Sequence, residues 1–322
     1  AYYLKIWLED ELAFLGECPW EEDLAYARAV CEQLGVPLRI IPLQQDYQHA
    51  VIAHTVSELK AGRTPSPDIV CNQRIKFGLF IEQHADGVDC VVSGHYAQVE
   101  RLGDRVLLKR APDPVKDQTY FLSALSQTQL KRVWFPLGCL TKKQVRAEAR
   151  SAGLATQDRK DSQGICFLGK IPYPAFVRSH LGECAGTIVE RESGTTLGQH
   201  RGYWFYTIGQ RQGLGLSGGP WYVVEKDIER NIVRVSHQEA ATERGRRCFA
   251  LHSINWIAGA PPDHADLMAK VRHGPTFIRC RVDPTGPDSA AVELVEADRG
   301  IAPGQSAVLY DGDICLGGGV IT

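Results

Sequence analysis

PWEEDLAYARAVCEQLGVPLRIIPL, residues 19 to 43, carries the decision about fold class. Leu24, Ala27, Val30, Cys31 and Leu34 recur every three or four positions, so they share one face of a helix that Gly35 ends. LRIIPL, residues 38 to 43, then reads as a buried strand. The pattern repeats. A second helix is expected from about Tyr47 to Gly62 and a third from about Arg74 to His84, followed by DCVVSGHY, residues 89 to 96, a short strand ending on Gly94. Helices alternating with strands imply a parallel sheet covered on both faces. TKKQVRAEARSAG, residues 141 to 153, opens on a capping box of Thr141 and Gln144 and closes on a glycine.

After about residue 168 the texture changes. GTIVERESGTTLG, YVVEKDIERNIVRVS, LMAKVRH, IRCRVDP, SAAVELVEA and SAVLYDGDICLGGGVI are short alternating runs broken by turn residues, the mark of an all-β region. HQEAATERGRR, residues 237 to 247, has few apolar residues and divides that region in two. The expected organisation is an α/β nucleotide-binding domain over 1–165, a small β-rich module over 166–237 and a C-terminal β-barrel over 238–322.

Composition narrows the function classes. Of 322 residues 44% are hydrophobic and 23% charged, which is ordinary for a globular protein with a sizeable core. No apolar run reaches the roughly 18 residues of a membrane span. The chain opens AYYLKIWLED, with neither a signal nor a transit pattern to read. Ten cysteines without a Cys-x-x-Cys pair argue against a zinc ribbon and a disulfide scaffold, and point to a reducing compartment, the cytoplasm or an organelle. A net charge of −2 exerts no global pull on nucleic acid, so any RNA contact must come from local basic patches.

TPSPDIVCNQRIKF, residues 64 to 77, asks for chemistry. Pro65 and Pro67 fix φ and drive Thr64 and Ser66 toward extended backbone, so the loop is a held shape. It presents Asp68 and Cys71 on a stiff support, the setting in which reactive side chains are found. A structural cysteine buried behind the DIV run is the plain alternative.

AGRTPSPDIVCNQRIKF, SGHYA (93–97), KDQTYFL (116–122), KDSQGICFLG (160–169), GQRQGLG (209–215), PWYVVEKD (220–227) and APGQSAVLYDGDICLGGGVI (302–321) together resemble, in order and at compatible spacing, the tRNA-specific 2-thiouridylase family, a branch of the adenine nucleotide alpha hydrolase group. The resemblance spans essentially the whole chain. It implies ATP-dependent sulfur transfer to carbon 2 of the wobble uridine of tRNA. The uridine C2 oxygen leaves poorly, so it is first adenylated and then displaced by a sulfur nucleophile.

The resemblance also implies roles. Cys166 carries the persulfide, and Cys71 attacks it or resolves it as a disulfide; Arg159 and Lys160 before Cys166, and Arg74 and Lys76 after Cys71, suit a reactive thiolate. Without the resemblance, Cys166 between Gly164 and Phe167 reads equally as a packing residue. Leu4 and Gly94 contact ATP, Gly94 at the carboxyl edge of the sheet where a nucleotide approaches closely. Asp68 is catalytic. Ser66, Pro67, Asp68, His95, Lys116, Asp117, Gln118, Arg272, His273 and Gln305 contact the tRNA, whose wobble base is extruded into a pocket. Mg²⁺ accompanies ATP with no dedicated ligand set, and a cysteine desulfurase or sulfur-relay protein is the donor.

Two departures qualify this. The family carries a Ser-Gly-Gly-Val-Asp-Ser phosphate loop after its first strand, and no such loop stands here; the Ser217–Gly219 triplet lies in the wrong half. Either a preceding segment completes the protein or this is a homologue without adenylation, and the presence of both cysteines favours the first. The other departure is RHGP at 272–275, where the family has an Arg-Tyr-Arg run. Two other functions remain open: another ATP-dependent synthetase of the same superfold, which has no use for the cysteines, and a non-catalytic tRNA-binding protein.

Overall fold

The computed structural model describes residues 1–6, 20–159, 171–237 and 245–322. Cys166 and its KDSQGICFLG context, the 165/166 boundary, and much of the 237–247 divider lie outside the described residues. The N-terminal part contains β1 (Tyr2–Lys5), β2 (Arg39–Pro42), β3 (Val91–Val92), β4 (Ala97–Leu102), β5 (Arg105–Arg110) and β6 (Val133–Trp134). A helix over Trp20–Leu34 joins β1 to β2, and Gly35 closes it at φ +64°, the left-handed stop that glycine adopts without strain. The capping box at Thr141 is present, with Gln144 returning the bond, at the start of the helix Lys142–Ser151.

Three expectations need correction here. Among the described residues the parallel pairings of the N-terminal part are β1–β2 and β3–β6. Ile40, Val92 and Trp134 are exposed, so β2 is not the buried strand its apolar run suggests. The helix Trp20–Leu34 buries Leu24 alone, because it packs on a sheet of only two strands. The third helix starts earlier than Arg74: Pro67–Val70, Cys71–Leu79 and Phe80–His84 run on without interruption, with Pro67 at a first-turn position where its missing N–H costs nothing. Its middle nine residues, from Cys71, are wound as a π-helix, a form concentrated at functional sites.

The middle module holds a helix, Tyr173–Leu181, and four strands, β7 (Gly186–Glu190), β8 (Thr196–His200), β9 (Trp221–Asp227) and β10 (Ile232–His237), in the order β8-β7-β10-β9. The C-terminal part is β11 (Arg246–Trp256), β12 (Asp266–Lys270), β13 (Ile278–Gly286), β14 (Ser289–Asp298), β15 (Ser306–Asp311) and β16 (Ile314–Ile321). These run β11-β14-β13-β12-β15-β16, and β11 pairs with β16 to close a six-stranded barrel.

The β4–β5 hairpin, turned at Gly103 with φ +58°, does not belong to the parallel sheet. β5 pairs with β16, extending the barrel sheet with two strands from the N-terminal part. One core follows from this: Phe77, Leu122, Leu125 and Phe135 pack in the same cluster as Ile257, Val308, Tyr310 and Cys315.

Candidate functional site

Residues 60–68 leave their helix and touch both other parts of the molecule. The Tyr203 hydroxyl donates to the Lys60 carbonyl (2.6 Å), and the Thr64 amide donates to the Pro303 carbonyl (2.8 Å). Gly304 sits so close that a Cβ there would lie 2.7 Å from Arg63 Cβ and 2.8 Å from the Thr64 nitrogen. The proline loop is held as its prolines suggest, and the middle module and the barrel help to hold it.

Around this loop most of the residues assigned to tRNA come together. The Tyr120 hydroxyl donates to the Ser306 carbonyl (2.9 Å) and takes a hydrogen bond from Ser66. Burial pushes the Tyr120 phenol well above its ordinary range, so it stays protonated. The His273 ring lies on Phe121 with centroids 4.6 Å apart and planes at 29°, and it hydrogen-bonds the Asp117 backbone. Burial lowers its pKa, with Lys270 adding to the effect and Asp117 and Asp68 opposing it, so the ring is a neutral aromatic platform at neutral pH. The departure from Arg-Tyr-Arg therefore keeps a ring at this position. Beside it, Arg272 makes a two-point pair with Asp298 (2.7 and 2.8 Å), which raises the guanidinium pKa and leaves half of the side chain exposed.

Two acceptors on segments that border this loop are buried without a partner. Gln305 Oε1 and Asn72 Oδ1 are shut off from solvent and meet no donor among the described residues, although such atoms are nearly always satisfied. Asn72 Nδ2 donates to the Phe121 carbonyl (3.0 Å), which ties the residue after Cys71 to the ring under His273.

Asp117 does not face outward. Its carboxylate is fully buried, accepts from the Ala111 amide (3.2 Å) and the Thr119 hydroxyl (2.9 Å), and pairs with Lys270 Nζ (3.4 Å), itself 1% exposed. Lys270 also lies over the Phe277 ring (4.2 Å). Burial pulls the Lys270 pKa down and Asp117 holds it up. The carboxylate thus anchors the 116–118 segment to the barrel. Gln118 is likewise engaged, its backbone N–H and side-chain oxygen clasping Tyr96 at 2.9 Å each. Lys116 is half-buried at the start of that segment.

Cys71 is 1% exposed, packed among Leu43, Ile52, Ile75 and Phe176. The loop delivers Cys71 into the core behind Asp68, because the helix that begins at Pro67 turns it inward.

Leu4 and Gly94 lie elsewhere, at the parallel pairs. Leu4, Tyr2, Phe77, Phe80, Val91 and Ser93 line an apolar groove of about 490 Å³ between β1 and β3. Among the described residues a Cβ on Gly94 would touch only Leu137 Cδ1, at 3.6 Å. His95 stands next to Gly94. Its Nδ1 is 2.7 Å from Ser93 Oγ and its ring packs against Phe77 and Phe135 at 5.6 and 5.7 Å; burial, with Lys76, lowers its pKa to about 3. Among the described residues no three His, Cys, Asp or Glu side chains are placed to hold a metal ion, and no helix is long and apolar enough to cross a membrane.

Tyr120, Phe121, Asn72, Lys270 and Asp298 escaped the sequence reading. The first two stand in KDQTYFL, where an adjacent aromatic pair after a polar segment was the available signal.

Three family models match successive parts of the chain: a tRNA methyl transferase HUP domain over residues 1–170, a tRNA methyl transferase PRC-barrel domain over 174–237 and an aminomethyltransferase beta-barrel domain over 246–321. Curated relatives match end to end. A tRNA-specific 2-thiouridylase MnmA of Porphyromonas gingivalis is 42% identical, covering 100% of this chain and 91% of its own. Proteins of the same name from Parabacteroides distasonis (42%; 99% and 90%) and Bacteroides thetaiotaomicron (42%; 100% and 92%) are equally similar.

Proposed function

The chain belongs to the tRNA-specific 2-thiouridylase family, and from that premise we propose that it replaces O2 of the tRNA wobble uridine with sulfur, in the cytoplasm, with ATP and its Mg²⁺ as co-substrate. One observation carries the reading. Ser66, Tyr120, Phe121, Arg272, His273 and Gln305, drawn from distant parts of the sequence, meet around a rigid loop beside two buried acceptors without donors. An extruded uracil brings a ring to stack on the Phe121–His273 platform and an N3–H to satisfy an orphaned acceptor.

Bound ATP supplies activation of the uracil oxygen as a leaving group. Leu4 and Gly94 would hold its adenine end. The thiols do the rest. The terminal sulfur of a Cys166 persulfide would form the bond to C2 as the C2–O bond breaks and the activated oxygen departs with AMP; the Cys71 thiolate would then attack the Cys166 sulfur, leaving 2-thiouridine and a Cys71–Cys166 disulfide, which an external thiol reduces by two electrons. Cys71 must become accessible for this, so its burial requires the packing around it to open during turnover. Asp68, on the same loop, faces the base. A cysteine desulfurase, directly or through a relay protein, reloads Cys166. Unpaired thiols at Cys31, Cys90, Cys139, Cys184, Cys248, Cys280 and Cys315 suit the reducing compartment this needs.

The test incubates the natural protein with ATP, a persulfide donor and unmodified tRNA, and weighs the wobble nucleoside. Sulfur for oxygen in the wild type, absent in Cys166→Ser and Cys71→Ser, supports the reading. Activity that survives both serines points instead to a cysteine-independent synthetase, and bound but unchanged tRNA to a binding protein.

A further inference from the structure

A cleft of about 370 Å³ opens between the middle module and the barrel. Its walls are Tyr222–Val224 of β9 on one side and Arg246 with Asp298–Ile301 on the other, and Arg191 stands at its rim. The two walls are fixed relative to each other, since a Cβ on Gly209 would lie 2.9 Å from the Gly300 Cα.

The chemistry of the cleft is one-sided. Arg191, Arg246 and Arg299 are all exposed in a protein whose net charge is −2. Arg246 makes no ion pair with the described residues, and Arg299 lies over the Tyr222 ring at 5.1 Å. The acidic groups nearby are spent elsewhere: Asp298 is turned to Arg272 and the Gly300 amide, and Glu225 is shared by Arg191 and Arg234. Guanidinium groups bind phosphate oxygens at two points, and an arginine stacked on tyrosine is a platform on which a base can lie.

We propose that this cleft is a second RNA subsite, gripping the ribose-phosphate backbone of the tRNA away from the extruded base. It rests on the tRNA reading above. Position supports it, because Asp298 joins the two places: it lines the cleft and holds Arg272 at the base site. A protein partner is disfavoured, since the cleft offers arginines and one aromatic ring without the contiguous apolar centre of a protein interface.

The test measures tRNA dissociation constants across a salt series for wild type, Arg246→Ala/Arg299→Ala and Arg246→Lys/Arg299→Lys. Because it removes the cations that neutralise two phosphates, the alanine pair weakens binding about tenfold at low salt and reduces the slope of log affinity against log salt by about 1.4 to 1.8, while kcat at saturating tRNA is unchanged. The lysine pair keeps most of the slope. Tyr222→Ala weakens binding about fivefold or more without changing the slope. Unchanged affinity and slope in the alanine pair would overturn the subsite. Failure of the wild type to bind tRNA would instead overturn the function on which it rests.

Discussion

The parallel-sheet corner and the three-part junction are built on opposite plans. At the corner, strands of four and two residues pair only in twos, Val92 and Trp134 are exposed, and the groove between the pairs is apolar and open. At the junction, Thr119, Tyr120 and Tyr310 join a polar network around the buried Asp117–Lys270 pair. On the function proposed above, the corner would take its ligand by leaving room, and the junction would recognise its own through groups fixed beforehand, which avoids the cost of ordering side chains on binding.

The sharpest way to break this contrast is Lys270→Ala. It leaves the Asp117 carboxylate buried without its cation, so chemical denaturation should show a loss of about 3–5 kcal/mol, against under about 0.5 kcal/mol for Val92→Ala at the corner. Equal effects would mean the junction is not what holds the parts together. Next comes Gly304→Val, which drives a side chain into Arg63 and Thr64 at φ +89°; a loss of about 1–3 kcal/mol is expected, with weaker tRNA binding. At the corner the analogous change, Gly94→Val, should leave the melting temperature unchanged while raising KM for ATP about tenfold, some 1.4 kcal/mol, because the space it fills belongs to the ligand.

A pH dependence adds a further test, gradual per unit of pH. His95 stays neutral when folded, with a pKa of about 3, whereas the unfolded chain takes up a proton near 6.5. Its contribution to stability is therefore complete above pH 6.5 and is lost as pH falls toward 3, at no more than about 1.4 kcal/mol per unit. A His95→Gln variant should unfold with a flatter pH profile below 6.5. An unaltered profile would place the acid sensitivity elsewhere.

What the sequence disclosed follows the range of the forces involved. The Gly35 stop, the Thr141 capping box, the stiff proline loop and the run of C-terminal strands are set by neighbours a few residues away, and all are readable by eye. The burial of Lys270 is not. In LMAKVRH, Leu267, Ala269 and Val271 alternate toward the barrel interior, so Lys270 should face solvent. It is buried because Asp117, Phe277 and Tyr310 cover that other face, and Asp117 stands 153 residues away. The same holds for His273, whose value as a ring depends on Phe121 lying beneath it. The open faces of β2 and β3 escaped for the converse reason: an apolar run states what can be buried, not how many strands will gather to bury it.

The hairpin of β4 and β5 has a bearing on synthesis. Its partner, β16, leaves the ribosome some two hundred residues later, so until then the β5 edge has no neighbour and can pair with any passing strand. Nascent chains stopped before Ile314 should therefore aggregate or recruit a chaperone, even with the whole nucleotide-binding part already made. The N-terminal part reaches its finished state only when β16 arrives.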